Sequence, residues 1–316
     1  MHVPVLLKEV IEHLNCETGK KFLDCTLGQG GHSREILEAV GPGGFLWGLD
    51  QDQRALDNAK KNLSPYSNFK LIQGSFKDLS QIAQDEGINA LDGILFDLGI
   101  SSAQLDSLER GFTYQQEAPL DMRMDLSQKT TAQDLVNELS ERELVEIIKN
   151  FGEELWARRI AKFIIRERKE KRIKTTGQMV DIIKAAIPAR ARRKGGHPAR
   201  RTFQALRIAV NQELESLSRG LEASISILKP KGRLCVISFH SLEDKIVKKF
   251  FGDKSRGCVC PPQMPICNCA QKPELKIVNR KPILPEPEEI QVNPRSRSAK
   301  LRVGEKIDES SKKRGR

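Results

Sequence analysis

Phe22-Leu23-Asp24-Cys25-Thr26-Leu27-Gly28-Gln29-Gly30-Gly31-His32 is the stretch on which the fold turns. A short apolar run stops at Asp24, glycines stand at 28, 30 and 31, and a helix-like segment opens at Ser33. Strand, tight turn and helix in that order form the first unit of a parallel α/β sheet. Such a turn lets backbone approach a nucleotide-like ligand closely. Downstream, Phe45-Leu46-Trp47-Gly48-Leu49 ends in Asp50. An acid at the tip of a second strand is placed to accept hydrogen bonds from the two hydroxyls of a ribose. The two segments together predict an adenosine-bearing cofactor.

Which cofactor depends on the turn. A G-x-G-x-x-G pattern would put its third glycine at position 33, where Ser33 stands. NAD and FAD need the turn packed tightly under a pyrophosphate. S-adenosylmethionine carries no phosphate, so its site needs close backbone approach without an anion cradle. The missing glycine and the leading acid Asp24 favour S-adenosylmethionine. A dinucleotide-dependent oxidoreductase, and a glycine turn with no ligand at all, stay open at this point.

Outward from this core, strand and helix alternate from residue 20 to about 105. Strands are expected at Lys21–Cys25, up to Asp50, at Phe69–Ile72 and at Leu91–Asp97, and Asp52 is expected to cap a helix. The alternation implies a parallel sheet covered by helices on both faces. It then stops. Residues 107–205 show helical spacing, as in Leu135, Leu139, Leu144, Ile147 and Ile148, and no convincing buried strand. One long helix is expected from about Thr202 to Leu228. The apolar run Arg233–Phe239 then resumes the sheet, and Ile277–Ile283 with Ser298–Val303 supplies a closing hairpin. The reading is a discontinuous domain (1–106 and 206–305), a helical insertion (107–205) and a disordered charged tail (306–316).

The chain has 316 residues and a net charge of +11. Between Arg158 and Arg207 stand 17 Lys and Arg against three acids, Glu167, Glu170 and Asp181, so this one segment exceeds the whole-chain excess. Charge concentrated in that way is the footprint of phosphate contacts and predicts a nucleic-acid partner. No apolar run approaches a transmembrane span, the N-terminal segment is too short and charged for a signal peptide, and seven cysteines do not form an even disulfide framework. A cytoplasmic protein is expected.

Ligands of open parallel sheets sit beyond the carboxyl ends of the strands. That rule gathers Asp24 to His32, Asp50, Phe76, Asp97 to Ser102 and Phe239-His240-Ser241 on one rim. Phe76 is suited to lie against an adenine ring. Several longer motifs are then specific: Asp97-Leu98-Gly99-Ile100-Ser101-Ser102 with Gln104, Arg110-Gly111-Phe112, and Pro119-Leu120-Asp121-Met122-Arg123-Met124-Asp125. Arg201-Thr202-Phe203-Gln204-Ala205-Leu206-Arg207 and Ser238-Phe239-His240-Ser241-Leu242-Glu243-Asp244 complete the set. Over residues 1 to about 305 the chain resembles the bacterial 16S ribosomal RNA cytosine-N4 methyltransferase family.

That resemblance implies a Rossmann-like class I methyltransferase domain with an inserted helical domain, using S-adenosylmethionine on a decoding-centre cytidine of the small ribosomal subunit. By motif position it assigns cofactor contacts to Gly30, Gly31, His32, Asp50, Phe76, Asp97 and Gln104. The chemistry is compatible. The lone pair of a cytosine N4 amine is delocalised into the ring, so transfer benefits from an acceptor for the amino proton and from held geometry. Asp97 is the candidate catalytic acceptor, with Asp121 or Asp125 assisting, although a purely cofactor-binding carboxylate is an equal reading. Arg123, Arg207 and His240 are candidates for gripping the target nucleotide.

Two alternatives accompany this reading. Cytosine C5 methylation needs a cysteine nucleophile, and neither Cys25 nor Cys235 is well placed beside the Asp97 loop. A non-catalytic RNA-binding or assembly factor would keep the same pocket. Cys258, Cys260, Cys267 and Cys269 have the ligand count for structural zinc, but their C-x-C pairs are tighter than the usual C-x2-C, and a metal-free loop is expected. Oligomeric state is not encoded in any of these features.

Overall fold

A computed structural model describes residues 4–101, 104–105, 107–193, 196–257, 260, 264 and 272–308. Seven strands, β1 (Lys21–Asp24), β2 (Phe45–Asp50), β3 (Phe69–Gln73), β4 (Leu91–Asp97), β5 (Leu228–Ser238), β6 (Leu275–Ile277) and β7 (Lys300–Lys306), form one sheet. Its order is β3-β2-β1-β4-β5-β7-β6. The first five are parallel, and β7 runs antiparallel between β5 and β6. This is the Rossmann-like, parallel-dominated sheet that the resemblance implies, and β6–β7 is the closing hairpin.

Side-chain alternation explains the layering. Phe22, Leu46 and Leu95 point to one face and join Val10 and Leu14 of α1 (Leu7–Leu14), Ile36 and Leu37 of α2 (Gly31–Val40), and Leu56 of α3 (Gln53–Asn62). Their neighbours Leu23, Ile94 and Phe96 point to the other face, against Leu79 of α4 (Leu79–Asp85), Leu217 and Leu221 of α11 (Glu213–Ile227), and Phe251 of α12 (Ser241–Ser255). Period-two apolar positions on both faces are what a sheet sandwiched between helices requires. Gly93 lies where α1 comes close: a Cβ there would stand 2.7 Å from the Phe22 ring.

The chain divides into two compact units, residues 1–99 with 214–316, and Ile100–Glu213. The second consists of α5 (Ala132–Glu138), α6 (Glu141–Gly152), α7 (Ala157–Glu170), α8 (Thr176–Ala186), the short α9 (Ala189–Arg192) and α10 (Arg200–Asn211). Val136, Leu144, Ile148, Ile160, Ile164, Ile183 and Phe203 make its core. Capping boxes Thr131/Asp134, Ser140/Glu143 and Thr175/Gln178 start α5, α6 and α8, satisfying end N–H groups that would otherwise lack partners.

Several boundaries differ from the sequence reading: the first strand of the hairpin is Leu275–Ile277 rather than Ile277–Ile283, with Ile283 making only an isolated bridge to Leu301, and the strand after the insertion starts at Leu228 rather than Arg233. The single helix expected over 202–228 is two, because Gln212 adopts a left-handed conformation (φ 51°). No Gly or Pro marks the break; tertiary bonds make it. The Asn211 side chain donates to Met122 O and accepts from Met124 N–H, and Arg207 clamps Glu213 (below). The helical unit accordingly runs from Ile100 to Glu213 rather than 107–205. The expected tail also begins too early: β7 extends to Lys306, and the Ile307 N–H donates to Glu274 O. Residues 309–316 lie outside the described structure, as do Cys258, Cys267 and Cys269. Among the described residues no helix is long and apolar enough to cross a membrane.

Candidate active site

Three strands end in acids: Asp24 on β1, Asp50 on β2 and Asp97 on β4. Each has a different environment. Asp50 fastens the glycine turn to its own strand end: Oδ2 accepts from Gly28 N–H (2.9 Å) and Oδ1 from Asp52 N–H (2.9 Å). Its backbone carbonyl accepts from Gly74 N–H and so draws in the end of β3. Burial, opposed by those two N–H bonds, pushes the Asp50 carboxyl up to about 6.

The glycines of the turn are required by neighbouring protein. Gly30 caps α2 at φ 78°, and a Cβ there would lie 3.3 Å from Leu63 Cγ. A Cβ on Gly31 would lie 2.6 Å from Pro4 Cγ. The turn therefore packs directly beneath the N-terminal segment and α3, which brings its backbone to the rim.

Asp97 sits against this turn. Its Oδ2 lies 3.6 Å from His32 Nδ1, while Oδ1 is buried with no hydrogen-bond partner among the described residues. His32 Nε2 is 2.9 Å from the Val5 carbonyl. A carbonyl only accepts, so Nε2 carries the proton and Nδ1 faces Asp97. Burial pushes the Asp97 carboxyl up to about 6; His32 pulls the other way, and Asp24 and Glu243 add to the rise. Asp24 is 1% exposed and is also raised by burial.

Two hydroxyls that the sequence reading did not single out hold these acids. Ser33 Oγ donates to Asp24 Oδ2 (2.7 Å), and Thr26 N–H donates to Asp24 Oδ1 (3.1 Å). Thr26 Oγ1 in turn accepts from the Asp97 N–H (2.5 Å). Ser33 thus fills the third-glycine position for a reason: it satisfies a carboxylate that would otherwise be buried with fewer donors. A serine in place of that glycine, nine residues after an acid, was the available signal.

Phe76 begins a single 3-10 turn after β3, its N-cap being Ser75. The half-buried ring meets Phe96 edge-on (centroids 5.5 Å apart, 73°), and a Cβ on Gly220 would come within 3.1 Å of it. Ring and backbone are therefore fixed beside the ends of β3 and β4 before any ligand arrives.

His240 is the N-cap of α12. Its ring Nδ1 accepts from Glu243 N–H (3.4 Å), and Glu243 Oε2 accepts from the N–H groups of Phe239 and His240. The H-x-x-E sequence is a capping box with histidine in place of serine.

The other expected residues belong to the helical unit. Gln104 is buried and exchanges bonds with Ser101: Oε1 accepts from Ser101 N–H and its own N–H donates to Ser101 Oγ. Arg123 forks onto Asp121 (Nε and Nη2, both 2.8 Å) and donates through Nη1 to the carbonyls of Leu126 and Gln128. Burial would raise Asp121, but the Arg123 bonds outweigh it and hold the carboxyl low. Arg207 makes a bidentate pair with Glu213 (both 2.8 Å). Asp125 accepts from Ser127 N–H and Oγ. Arg123 and Arg207 are thus engaged within their own unit, which a reading of residue types cannot reveal. Cys25 and Cys235 are buried free thiols, both pushed up by burial and unsuited to nucleophilic attack.

Residues 1–307 match the model of the MraW methylase family. The ribosomal RNA small subunit methyltransferase H of Halothermothrix orenii is 53% identical over 306 residues, covering 97% of this chain and 98% of that protein. The protein of the same name from Clostridioides difficile is 52% identical over 307 residues, covering 97% and 99%. Among solved structures, an rRNA methylase from Streptococcus thermophilus aligns with a TM-score of 0.41 at 11% identity, covering 96% of this chain and 94% of that one. At that distance the sequence relatives alone carry the family.

Proposed function

The chain belongs to the MraW methylase family, and on that premise we propose that it methylates the exocyclic N4 of one cytidine in the decoding-centre region of 16S ribosomal RNA. S-adenosylmethionine is the donor, and the reaction takes place in the cytoplasm, where small ribosomal subunits are made. The name shared by the relatives supports the RNA class. The N4 position and the decoding centre rest on the motif resemblance.

The observation that carries the chemistry is the Asp97 carboxyl. Its buried Oδ1 lacks a partner among the described residues, and the group titrates near 6. An orphaned acceptor in a buried site is costly unless a ligand or substrate completes it. Bound S-adenosylmethionine would supply an electrophilic methyl on a sulfonium, whose sulfur would keep the electron pair of the C–S bond as N4 takes the methyl. Asp50 would accept from the ribose hydroxyls, Phe76 would face the adenine and the Gly30-Gly31-His32 turn would line the donor; Gln104 is assigned to it by motif position alone. Asp97, ionised above about pH 6, accepts the proton that N4 must lose. His32 orients it. Arg123, Arg207 and His240 are the candidates for gripping the target nucleotide.

The test is transfer of a labelled methyl group to small subunits from a strain lacking this protein, with mass mapping of the nucleosides. One N4-methylcytidine at the decoding centre is expected. Label on another atom would overturn the N4 assignment. Tight RNA binding without any transfer would leave an assembly factor with an idle pocket.

A further inference from the structure

Helix α7 places one side in the core of its unit through Ala157, Ile160, Ala161 and Ile164, all at most 3% exposed. Its other side has an unusual surface. Arg159, Lys162 and Lys169 recur at helical spacing, all exposed, and none has an acid partner among the described residues. Half-buried Phe163 lies within this stripe. The Arg166 guanidinium stacks 4.4 Å from its ring centroid, the Arg159 guanidinium stands at 5.5 Å, and Glu167 steadies Arg166 through a 2.6 Å bond. One turn before Arg159, Leu155 is 90% exposed.

A solvated basic face would look different. Other cations of the same unit are neutralised: Arg142 pairs with Glu146, and Arg172 with Asp134 and Glu138. On α7 the charge is left open and combined with a π-face and an apolar side chain. Unpaired cations spaced along an aromatic are the elements of a single-strand nucleic-acid platform: phosphates take the cations and an unstacked base takes the ring.

We propose that the outer face of α7 grips a single-stranded or looped stretch of ribosomal RNA, a contact on the helical unit additional to the one that holds the target base. Arg159, Lys162 and Lys169 take phosphates, and Phe163 with Arg166 takes an unpaired base. The ribosomal identity of the strand rests on the function proposed above; the strand-binding surface does not.

The test measures binding of a labelled 20-nucleotide oligouridylate and of purified small subunits to the full chain across a salt series. Arg159→Glu with Lys162→Glu is expected to weaken both by at least about tenfold and to flatten the slope of log K against log salt by about 1.4, two phosphates' worth for a single strand. Phe163→Leu keeps the core filled and is expected to abolish quenching of a 2-aminopurine placed in the strand. Arg142→Ala, on a paired cation, should change neither. S-adenosylmethionine affinity should be untouched in all variants, separating this surface from the cofactor site. Unchanged oligonucleotide affinity and salt slope in the double variant, with its thermal midpoint intact, would overturn the proposal. So would loss of subunit binding alone, which would indicate a ribosomal protein as the partner. If the wild-type protein binds the strand through α7 but methylates nothing, the proposed function fails and this surface stands.

Discussion

Asp97→Asn should stabilise the protein while disabling it. The carboxyl titrates at about 6 in the fold against 3.8 ordinarily, burial being the main cause. A raised carboxyl pKa means that the folded state holds its proton more tightly than the unfolded chain does. The penalty is absent below pH 3.8, grows between pH 3.8 and 6, and is complete above 6. A displacement of roughly two pKa units is worth about 3 kcal/mol at pH 8, falling to roughly half that at pH 5. Asparagine has nearly the same shape, cannot ionise, and can donate to the His32 Nδ1 that faces this position. The variant should therefore resist urea more than the wild type at pH 8, with the advantage shrinking as the pH falls towards 4. Methyl transfer should drop by two or more orders of magnitude through loss of the proton acceptor. A variant no more stable than the wild type at pH 8, or equally stabilised at pH 8 and pH 4, would refute the claim that burial raises this carboxyl.

Three further outcomes follow from the same geometry. Gly31→Ala sets a Cβ 2.6 Å from Pro4 Cγ and should cost about 1–3 kcal/mol in thermal or urea unfolding by displacing the N-terminal segment; a neutral effect would mean that Pro4 is not packed there. Because Asp50 titrates at about 6, S-adenosylmethionine affinity measured by calorimetry should weaken on acidifying from pH 7 to pH 5, as the ribose acceptor takes up a proton; a flat profile would exclude the ribose role. Arg207→Ala should destabilise the helical unit by about 1–3 kcal/mol by stranding Glu213, whose side chain is only 12% exposed, and the Arg207→Ala/Glu213→Ala double variant should recover part of that loss; additive losses would show the pair to be uncoupled.

The rim of the sheet was legible because its strands announce their own ends. Apolar runs stopping at Asp24, Asp50 and Asp97 fix strand, direction and tip together. Asp52 was equally readable as a cap, and its side chain accepts from Arg54 N–H. What was not legible has a common cause. The break at Gln212, the ion-pair forks that hold Arg123 and Arg207, and the capping bonds of His240 all depend on partners that composition does not name. Ser33 was noticed only as an absent glycine. Its hydroxyl matters because Asp24 is buried beneath it, a tertiary fact.

The helical unit enters the chain between β4 and β5, adjacent strands in the sheet. Bringing those two strands together around a connection of well over a hundred unstructured residues would cost about 4 kcal/mol in closure entropy. Prior collapse of the insertion shortens the tether and removes most of that cost. The order of events is thus set by topology: the helices of the insertion collapse first, and β4 then pairs with β5. Lesions deep in the insertion, such as at Ile160 or Phe203, should then surface as temperature-sensitive alleles whose first symptom is failure of the sheet to assemble, rather than loss of RNA contact.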